Sequence, residues 1–418
     1  MQVSRMAGSL IGSEIIKIGN EVNDMIRKGE QICNLTIGDF DPGIFPIPDA
    51  LAAEITGAYA AHNTNYPPAN GVAELRQSVS RFLEARLGLQ YSPNDILVAG
   101  GSRPLIYATY LALIDPGDKV VFPVPSWNNN HYCHLSGAEG LMVATSPENN
   151  FMPSAAEVAP HLAGATLLAL CSPLNPTGTV FSKTDLEEIC DLVIAENKRR
   201  GPDEKPLYIM YDQIYWLLTF GNTAHYDPVN LRPELRDYVI YIDGISKCLA
   251  ATGVRVGYAF GPSVIIDKMK AILGHVGAWA PKAEQVATAA YLPRQPEVDA
   301  FLGDFRQRVQ ASLEALYQGF QDLQQQGYPV QAVVPMGAIY LTIKLDVLGK
   351  TTPAGQVLTS TKELTSYLIA EARLALVPFS AFGSADTDPW FRASVGGASL
   401  ASVQAALPRL KAALDALR

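Results

Sequence analysis

Short continuous apolar runs alternate with longer amphipathic segments between about residue 95 and residue 260. The runs are rich in Val, Ile, Leu and Tyr, which is typical of strands buried on both faces of a parallel sheet, and the longer segments are typical of the helices that connect such strands. The predicted strands are DILVAGG, KVVFPVP, TLLALCSP, LYIMYD and YVIYIDG. The alternation therefore predicts an α/β domain with a mainly parallel sheet.

Three segments have the apolar spacing and the end residues of helices. GSRPLIYATYLALIDPGD has Pro104 near its start and an Asp-Pro-Gly stop, and SKTDLEEICDLVIAENKRRG begins at a Ser or Thr cap and closes at Gly201. Upstream, GVAELRQSVSRFLEARLG is amphipathic and ends at a glycine. We read TSPENNFMPS and GKTTPAGQVLTSTKE as polar loops.

The pattern changes after about residue 290. One long periodic helix is predicted in YLPRQPEVDAFLGDFRQRVQASLEALYQGFQDLQQQG, followed by strand-like PMGAIYLTIKLDV and LALVPFSAFG. We therefore expect residues 41–290 to form a large domain and residues 291–418 a smaller α+β domain, with residues 1–40 forming an N-terminal arm and part of the small domain.

Composition excludes several classes of protein. The chain of 418 residues is 48% hydrophobic and has a net charge of -9, and no basic stripe suited to a nucleic acid interrupts this acidic balance. No apolar stretch approaches the roughly 18 residues of a membrane span, and we expect neither export nor membrane embedding. The five cysteines form no CxxC pair, so we expect neither a disulfide framework nor a metal site, and a reducing cytoplasm.

Candidate chemistry follows the predicted strands at their carboxyl ends, where ligands bind in open parallel sheets. The residues found there, in chain order, are Ser102, Arg103, Trp127, Asn175, Asp212 and Lys247. Each has an ordinary structural use: a tight turn, core packing, a turn former, a helix cap, or a lysine that extends to water. One ligand with an aldehyde, an aromatic ring nitrogen and a phosphate would account for all of them together, and pyridoxal phosphate is such a ligand.

The segment GISKCLAATGVRVG resembles the lysine motif of the class I and II aminotransferases, which are fold type I pyridoxal phosphate enzymes. The resemblance extends from about Gly38 to Arg392. It implies that Lys247 bonds to the cofactor aldehyde and transfers the proton, and that Arg255 binds the phosphate. It also implies the fold: a large domain with a mainly parallel sheet between helices, plus a smaller α+β domain.

The resemblance implies roles for the other candidates. In YDQIYW, Asp212 pairs with the ring nitrogen and Tyr215 bonds the ring hydroxyl, as does Asn175 in SPLNPTG. Trp127 stacks on the ring. Gly101, Ser102 and Arg103 form the phosphate cup with their amides.

Further matches concern the substrate and a second subunit. Gly38 in LTIGDFDPG and Arg392 in WFRASVGG match the residues that contact the substrate, with Arg392 holding the α-carboxylate. Tyr66 in YPPANGVAELR matches a tyrosine that reaches the phosphate of the neighbouring subunit. The resemblance therefore implies a homodimer with shared sites.

The chain departs from the family pattern at three positions. Gly244 stands where a phosphate-binding serine is common, so that Ser246 is the remaining hydroxyl, and Val254 replaces a usual tryptophan. Some bacterial aspartate aminotransferases carry a lysine for the distal carboxylate where this chain has Ser102, with Arg103 beside it. These differences bear on the substrate more than on the reaction.

The resemblance implies an aminotransferase with a ping-pong cycle between an L-amino acid and a 2-oxo acid. PSWNNNH favours aspartate with 2-oxoglutarate, and His131 in it is either a polar helix-start residue or a substrate contact. Aromatic or alanine-type donors and a β-elimination lyase on the same scaffold stay open. A transcription regulator is disfavoured, because only about 40 residues precede Gly38 and the chain is acidic. Four aromatic residues are candidates for either pocket or core: Trp216, Trp279, Tyr340 and Phe382.

Overall fold

The computed structural model describes residues 3–10, 12 and 14–418, so that four positions of the predicted arm (1, 2, 11 and 13) lie outside it. Its strands are β1 (Cys33–Asn34), β2 (Ile96–Ala99), β3 (Lys119–Val124), β4 (Glu139–Ala144), β5 (Ala165–Cys171), β6 (Tyr208–Asp212), β7 (Val239–Gly244), β8 (Gly257–Phe260), β9 (Val330–Ala332), β10 (Tyr340–Leu345), β11 (Leu374–Ala375), β12 (Val377–Pro378) and β13 (Trp390–Ser394). They form three sheets.

The helices lie between and around these sheets. They are α1 (Arg5–Ser9), α2 (Glu14–Arg27), α3 (Asp49–Ala60), α4 (Ala73–Leu87), α5 (Ser102–Leu113), α6 (Asn129–Ser136), α7 (Ala155–Val158), α8 (Lys183–Arg199), α9 (Pro228–Leu231), α10 (Ser263–Val276), α11 (Lys282–Tyr291), α12 (Gln295–Gln325), α13 (Thr361–Tyr367) and α14 (Leu400–Asp415). In the part of the chain that is described, no helix is both long enough and apolar enough to cross a membrane.

A seven-stranded sheet in the order β2-β8-β7-β6-β5-β3-β4 organises the larger part of the molecule. All neighbouring pairs are parallel except those of β8, which runs antiparallel to β2 and β7. Alternate residues of β5 and β6 enter two different cores: Leu168 and Ile209 pack with α4, α8 and α11, whereas Leu167 and Met210 pack with α5 and α10. The predicted sheet between two layers of helices is therefore confirmed.

The five predicted strands are present, but β4 and β8 were not predicted. β4 is an edge strand whose residues are mostly exposed, and its first residues, Glu139 and Gly140, hide the apolar pattern. β8 has four residues and opens with Gly257. Strands this short, with a glycine or a charged start, carry too little periodicity to be recognised.

The helix ends were predicted well. The Ser182 hydroxyl accepts from the Asp185 amide at 3.1 Å and caps α8, and Gly88 closes α4 in the left-handed conformation with φ 72°. Two segment predictions were wrong in part. TSPENNFMPS is polar at its start, but a 3₁₀ turn brings Phe151 and Met152 into the core, and LALVPFSAFG is divided into β11, β12 and a 3₁₀ turn.

The carboxyl-terminal part contains a four-stranded antiparallel sheet, β12-β13-β10-β9, packed against α12 and α14. β1 comes from the amino-terminal segment and pairs in parallel with β11. Helix α2 follows the same segment and inserts Ile15 among Phe151, Phe379 and Trp390. The amino-terminal residues thereby lie between the two larger sheets, next to the carboxyl ends of the parallel strands.

Candidate active site

A cavity of about 600 Å³ lies at the carboxyl ends of the parallel strands and the start of α5. It collects most of the residues predicted from the sequence: Gly38, Ser102, Arg103, Trp127, Asn175, Asp212, Tyr215, Ser246, Lys247, Arg255 and Arg392. The parallel order of β3, β5, β6 and β7 explains this, since the loops that follow parallel strands meet at one edge. The geometry therefore supports one shared site.

Lys247 follows β7 and its amine is buried in the cavity. Nζ donates to the backbone carbonyl of Gly38 and lies 5.8 Å from the centre of the Phe40 ring and 5.7 Å from that of Tyr215. Burial lowers the pKa of this amine to about 8, aided by the positive charges of three arginines and opposed by Asp39. At neutral to mildly alkaline pH, a substantial fraction of the amine is therefore free to act as a nucleophile.

Asp212 is the last residue of β6 and faces the same cavity. Its Oδ1 accepts from the Ile214 amide at 3.1 Å, the one hydrogen bond to this carboxylate from the described residues. Burial raises the pKa of Asp212 to about 6, against the lowering effects of that amide and of Lys247. A cation placed against the carboxylate would lower this pKa again, so the position suits a protonated ring nitrogen.

The amino terminus of α5 forms an anion cradle with Arg255. Gly101 precedes the helix with φ 94°, and a Cβ there would lie 2.2 Å from Arg255 Nη2. The guanidinium donates to the carbonyls of Gly100 at 2.6 Å and of Thr252 at 2.8 Å, which aims it at the helix start. Only glycine leaves this space, and exposed helix amides next to a cation suit a phosphate.

Arg392 in β13 is the second anion-binding group. Its side chain is 1% exposed; Nη1 donates to Asn175 Oδ1 at 3.1 Å, and Nη2 donates to the Thr36 carbonyl. Nε is buried without a hydrogen-bond partner among the described residues, and burial lowers the pKa of the group. A buried guanidinium with neutral partners and one unused donor is suited to a carboxylate that arrives from solution.

Arg103 differs from Arg392 in its surroundings. Its guanidinium lies 5.2 Å from the centre of the Trp127 ring, and the residue is exposed at the rim of the cavity. It forms no ion pair or side-chain hydrogen bond with any residue in the described part of the chain. The indole thereby holds a cation that has no fixed anionic partner.

Two predicted residues lie outside the cavity lining. Gly101 is directly behind it, and Tyr66 is 81% exposed on the protein surface, edge-on to Trp279 at 5.3 Å. Among the described residues, His131 does not line the cavity either; it occupies α6, as the structural alternative for it stated. Of the aromatic candidates left open, Tyr340 lines the cavity.

Sequence reasoning missed one wall of the cavity. Helix α2 contributes Ile15, Ile16, Gly19 and Asn20 to the lining. The apolar spacing in EIIKIGNEV is visible in the sequence and indicates a buried face. It does not reveal which surface that face covers, because that depends on the distant pairing of β1 with β11.

The residues present fit pyridoxal phosphate. Lys247 offers a reactive amine, Asp212 a buried carboxylate with one donor, and the glycine cradle beside Arg255 a place for a phosphate. The fold and the site together define a pyridoxal phosphate-dependent transferase.

The chain belongs to the family of class I and II aminotransferases, whose family model matches residues 30–410. An aspartate aminotransferase of Rhizobium meliloti is 28% identical over 408 residues, which are 97% of this chain and 94% of that protein. Its crystal structure matches with a TM-score of 0.90 over 100% of both chains at 27% identity. A bifunctional aspartate aminotransferase and glutamate/aspartate-prephenate aminotransferase of Petunia hybrida is 30% identical over 100% of this chain and 84% of its own. The protein is thus a pyridoxal phosphate-dependent aminotransferase.

Proposed function

We propose that this aminotransferase moves the amino group of aspartate to 2-oxoglutarate. The observation that carries the proposal is the presence of two guanidinium groups in one cavity, Arg392 buried and Arg103 exposed at the rim without a fixed anionic partner. Substrates with two carboxylates can engage both cations. The names of the relatives from Rhizobium meliloti and Petunia hybrida, which include aspartate, agree with this substrate class.

When bound, pyridoxal phosphate supplies an aldehyde that bonds to an amino group and a ring that accepts the electron pair left when a proton departs. We assign to Lys247 Nζ the bond to the cofactor and the transfer of the proton from the substrate Cα. Asp212 holds the proton on the ring nitrogen. Because the cavity is mostly enclosed by protein, both groups act with little competition from water.

The remaining predicted residues hold the cofactor and the substrate. Asn175 and Tyr215 bond the ring oxygen, and Trp127 stacks on the ring. The amides of Gly101, Ser102 and Arg103 bind the phosphate together with Ser246 and Arg255. Arg392 and the backbone of Gly38 bind the α-carboxylate of the substrate.

We also infer a homodimer, in which Tyr66 reaches the phosphate of the neighbouring subunit. Its 81% exposure beside Trp279, outside its own cavity, supports this role, as do the exposed Tyr59 and Val276. We place the division between the domains near residue 290, just before the long helix α12. The free state of all five cysteines supports a cytoplasmic location.

Steady-state kinetics of Arg103→Met test the substrate. With aspartate, we expect KM to rise about 10- to 100-fold, because a hydrogen bond to a charged group contributes about 1.5–3 kcal/mol. With alanine, which has no distal carboxylate, KM changes little. Arg199→Gln, an exposed arginine on α8, is the matched control. Equal effects on both donors would contradict a role in reading the distal carboxylate.

An aromatic donor is the second candidate, because Ile15, Ile16 and Ile37 give the cavity an apolar wall. The same assay separates the two: a preference for phenylalanine that survives Arg103→Met would favour the aromatic donor. Release of ammonia instead of glutamate would indicate the β-elimination lyase.

A further inference from the structure

Tyr340 makes a contact inside the cavity that the assigned roles do not use. It opens β10 and is 1% exposed. Its hydroxyl oxygen lies 2.5 Å from that of Tyr215, and the two rings meet edge to face with centres 5.5 Å apart. A distance this short between two buried hydroxyls requires that one donates to the other.

Two further contacts fix the position of Tyr340. The guanidinium of Arg392 lies 4.8 Å from the centre of its ring. A Cβ on Gly38 would lie 2.5 Å from its hydroxyl oxygen, so the lack of a side chain at Gly38 makes room for this oxygen. Tyr340 therefore touches, at once, the residue assigned to the cofactor ring and the two assigned to the substrate carboxylate.

The hydrogen-bond count determines the direction of donation. Each tyrosine hydroxyl has one hydrogen to donate. If Tyr215 gives its hydrogen to the cofactor ring oxygen, its own oxygen is left as the acceptor for Tyr340. We propose that Tyr340 is a positioning residue that donates to the Tyr215 oxygen, thereby directing the Tyr215 hydrogen to the cofactor and linking it to Arg392. The inference rests on the proposed role of Tyr215.

The surrounding charges suit this arrangement. Burial raises the pKa of both tyrosines, and so each is a neutral donor across the working pH range. The charged and titratable groups that face the pair are Arg392, Lys247, Asp39 and Cys171. The positive charge of Arg392 over the Tyr340 ring polarises its hydroxyl and makes it a stronger donor.

The test is the pH dependence of the visible absorbance of the enzyme loaded with pyridoxal phosphate, without substrate. In Tyr340→Phe we expect the midpoint to rise by about one pH unit, the equivalent of one ordinary hydrogen bond. Without Tyr340, Tyr215 donates more weakly to the negatively charged ring oxygen, which then retains its proton partner to higher pH. Tyr367→Phe, which removes a buried hydroxyl bonded to the Ala413 carbonyl at 2.7 Å, leaves the midpoint unchanged.

A double-mutant cycle separates positioning from a general structural effect. Tyr215→Phe alone raises the midpoint, and we expect that adding Tyr340→Phe raises it no further. Additive shifts, or a shift in Tyr215→Phe without one in Tyr340→Phe, overturn the inference. No shift in either variant overturns it together with the role of Tyr215.

Two further results distinguish this inference from its neighbours. Gly38→Ala, which displaces the Tyr340 hydroxyl, shifts the midpoint in the same direction and serves if Tyr340→Phe is not stable. The predicted shift without turnover of aspartate supports the role of Tyr340 and contradicts only the proposed substrate.

Discussion

Two cations are buried in the cavity, and at the scale of single residues they determine its chemistry. Lys247 has a carbonyl and aromatic rings as neighbours, and Arg392 has an amide and a carbonyl. Neither forms an ion pair with a described residue. Buried charges without partners are costly, and the family chemistry explains both: one must lose its proton to react, and the other must bind an incoming carboxylate.

The amine of Lys247 predicts how the cofactor-free protein takes up pyridoxal phosphate. Only the free amine attacks the aldehyde, so the rate of recombination should rise as the pH rises through about 8 and level off above it. Stopped-flow absorbance at pH values on both sides of 8 measures this rate. A rise centred near 10.5, the usual pKa of lysine, would show that burial does not act on this amine.

Arg392 predicts a separation of binding from chemistry. Arg392→Ala should raise KM for amino acids by the equivalent of ~2 to 5 kcal/mol, typical of removing one side of a buried charge pair, with a smaller change in kcat. Arg392→Lys should recover part of the loss, since it restores charge without the paired donors. Unchanged saturation in the alanine variant would mean that another residue holds the carboxylate.

The single residues that were predicted share a motif or a strand end. Lys247 and Arg255 lie eight residues apart in one segment, and Asp212 directly ends a strand, so linear spacing identifies them. Tyr340 was left open between pocket and core, because its contact with Tyr215 joins residues 125 positions apart. The contact of Arg103 with Trp127 depends on how α5 faces the loop after β3 and was likewise not predictable.

At the scale of elements, α2 is the part of the fold that the sequence explains least. It covers one wall of the cavity and is held there by Ile15, which is buried, while Ile26 on the same helix is exposed. The central sheet was predictable because each long buried strand is self-contained. The placement of α2 was not, because it depends on contacts with residues from Phe151 to Trp390.

Ile15→Ala should loosen α2 from the molecule. The loss of buried apolar contacts favours local opening, so trypsin should cleave at Lys17, Arg27 or Lys28 at least about 10-fold faster. The matched control is Ile26→Ala, which should leave the cleavage rate close to that of the parent. Equal rates in all three proteins would mean that the Ile15 contacts do not hold the helix.

At the scale of the whole molecule, the proposed dimer predicts complementation between two inactive variants. Tyr66→Ala lacks the residue offered to the neighbour, and Lys247→Ala lacks the residue of its own site. In a mixed dimer, one site then contains both native residues and the other contains neither. Dissociation and reassociation of equal amounts should restore about one quarter of parental activity, since about half of the dimers are mixed and each has one intact site.

A mixture no more active than its components would place Tyr66 in the site of its own chain, or outside any site. Sedimentation analysis of each variant is the control, because both must have the mass of a dimer for the comparison to hold.

The central claim is that this chain is a transaminase for aspartate, and the absorbance of the loaded enzyme during single half-reactions tests it most directly. We expect aspartate to convert the bound cofactor to its amine form with one oxaloacetate formed per site, and 2-oxoglutarate to restore the starting spectrum with one glutamate. An unchanged spectrum with aspartate, or ammonia released while the cofactor keeps its aldehyde form, would contradict the account.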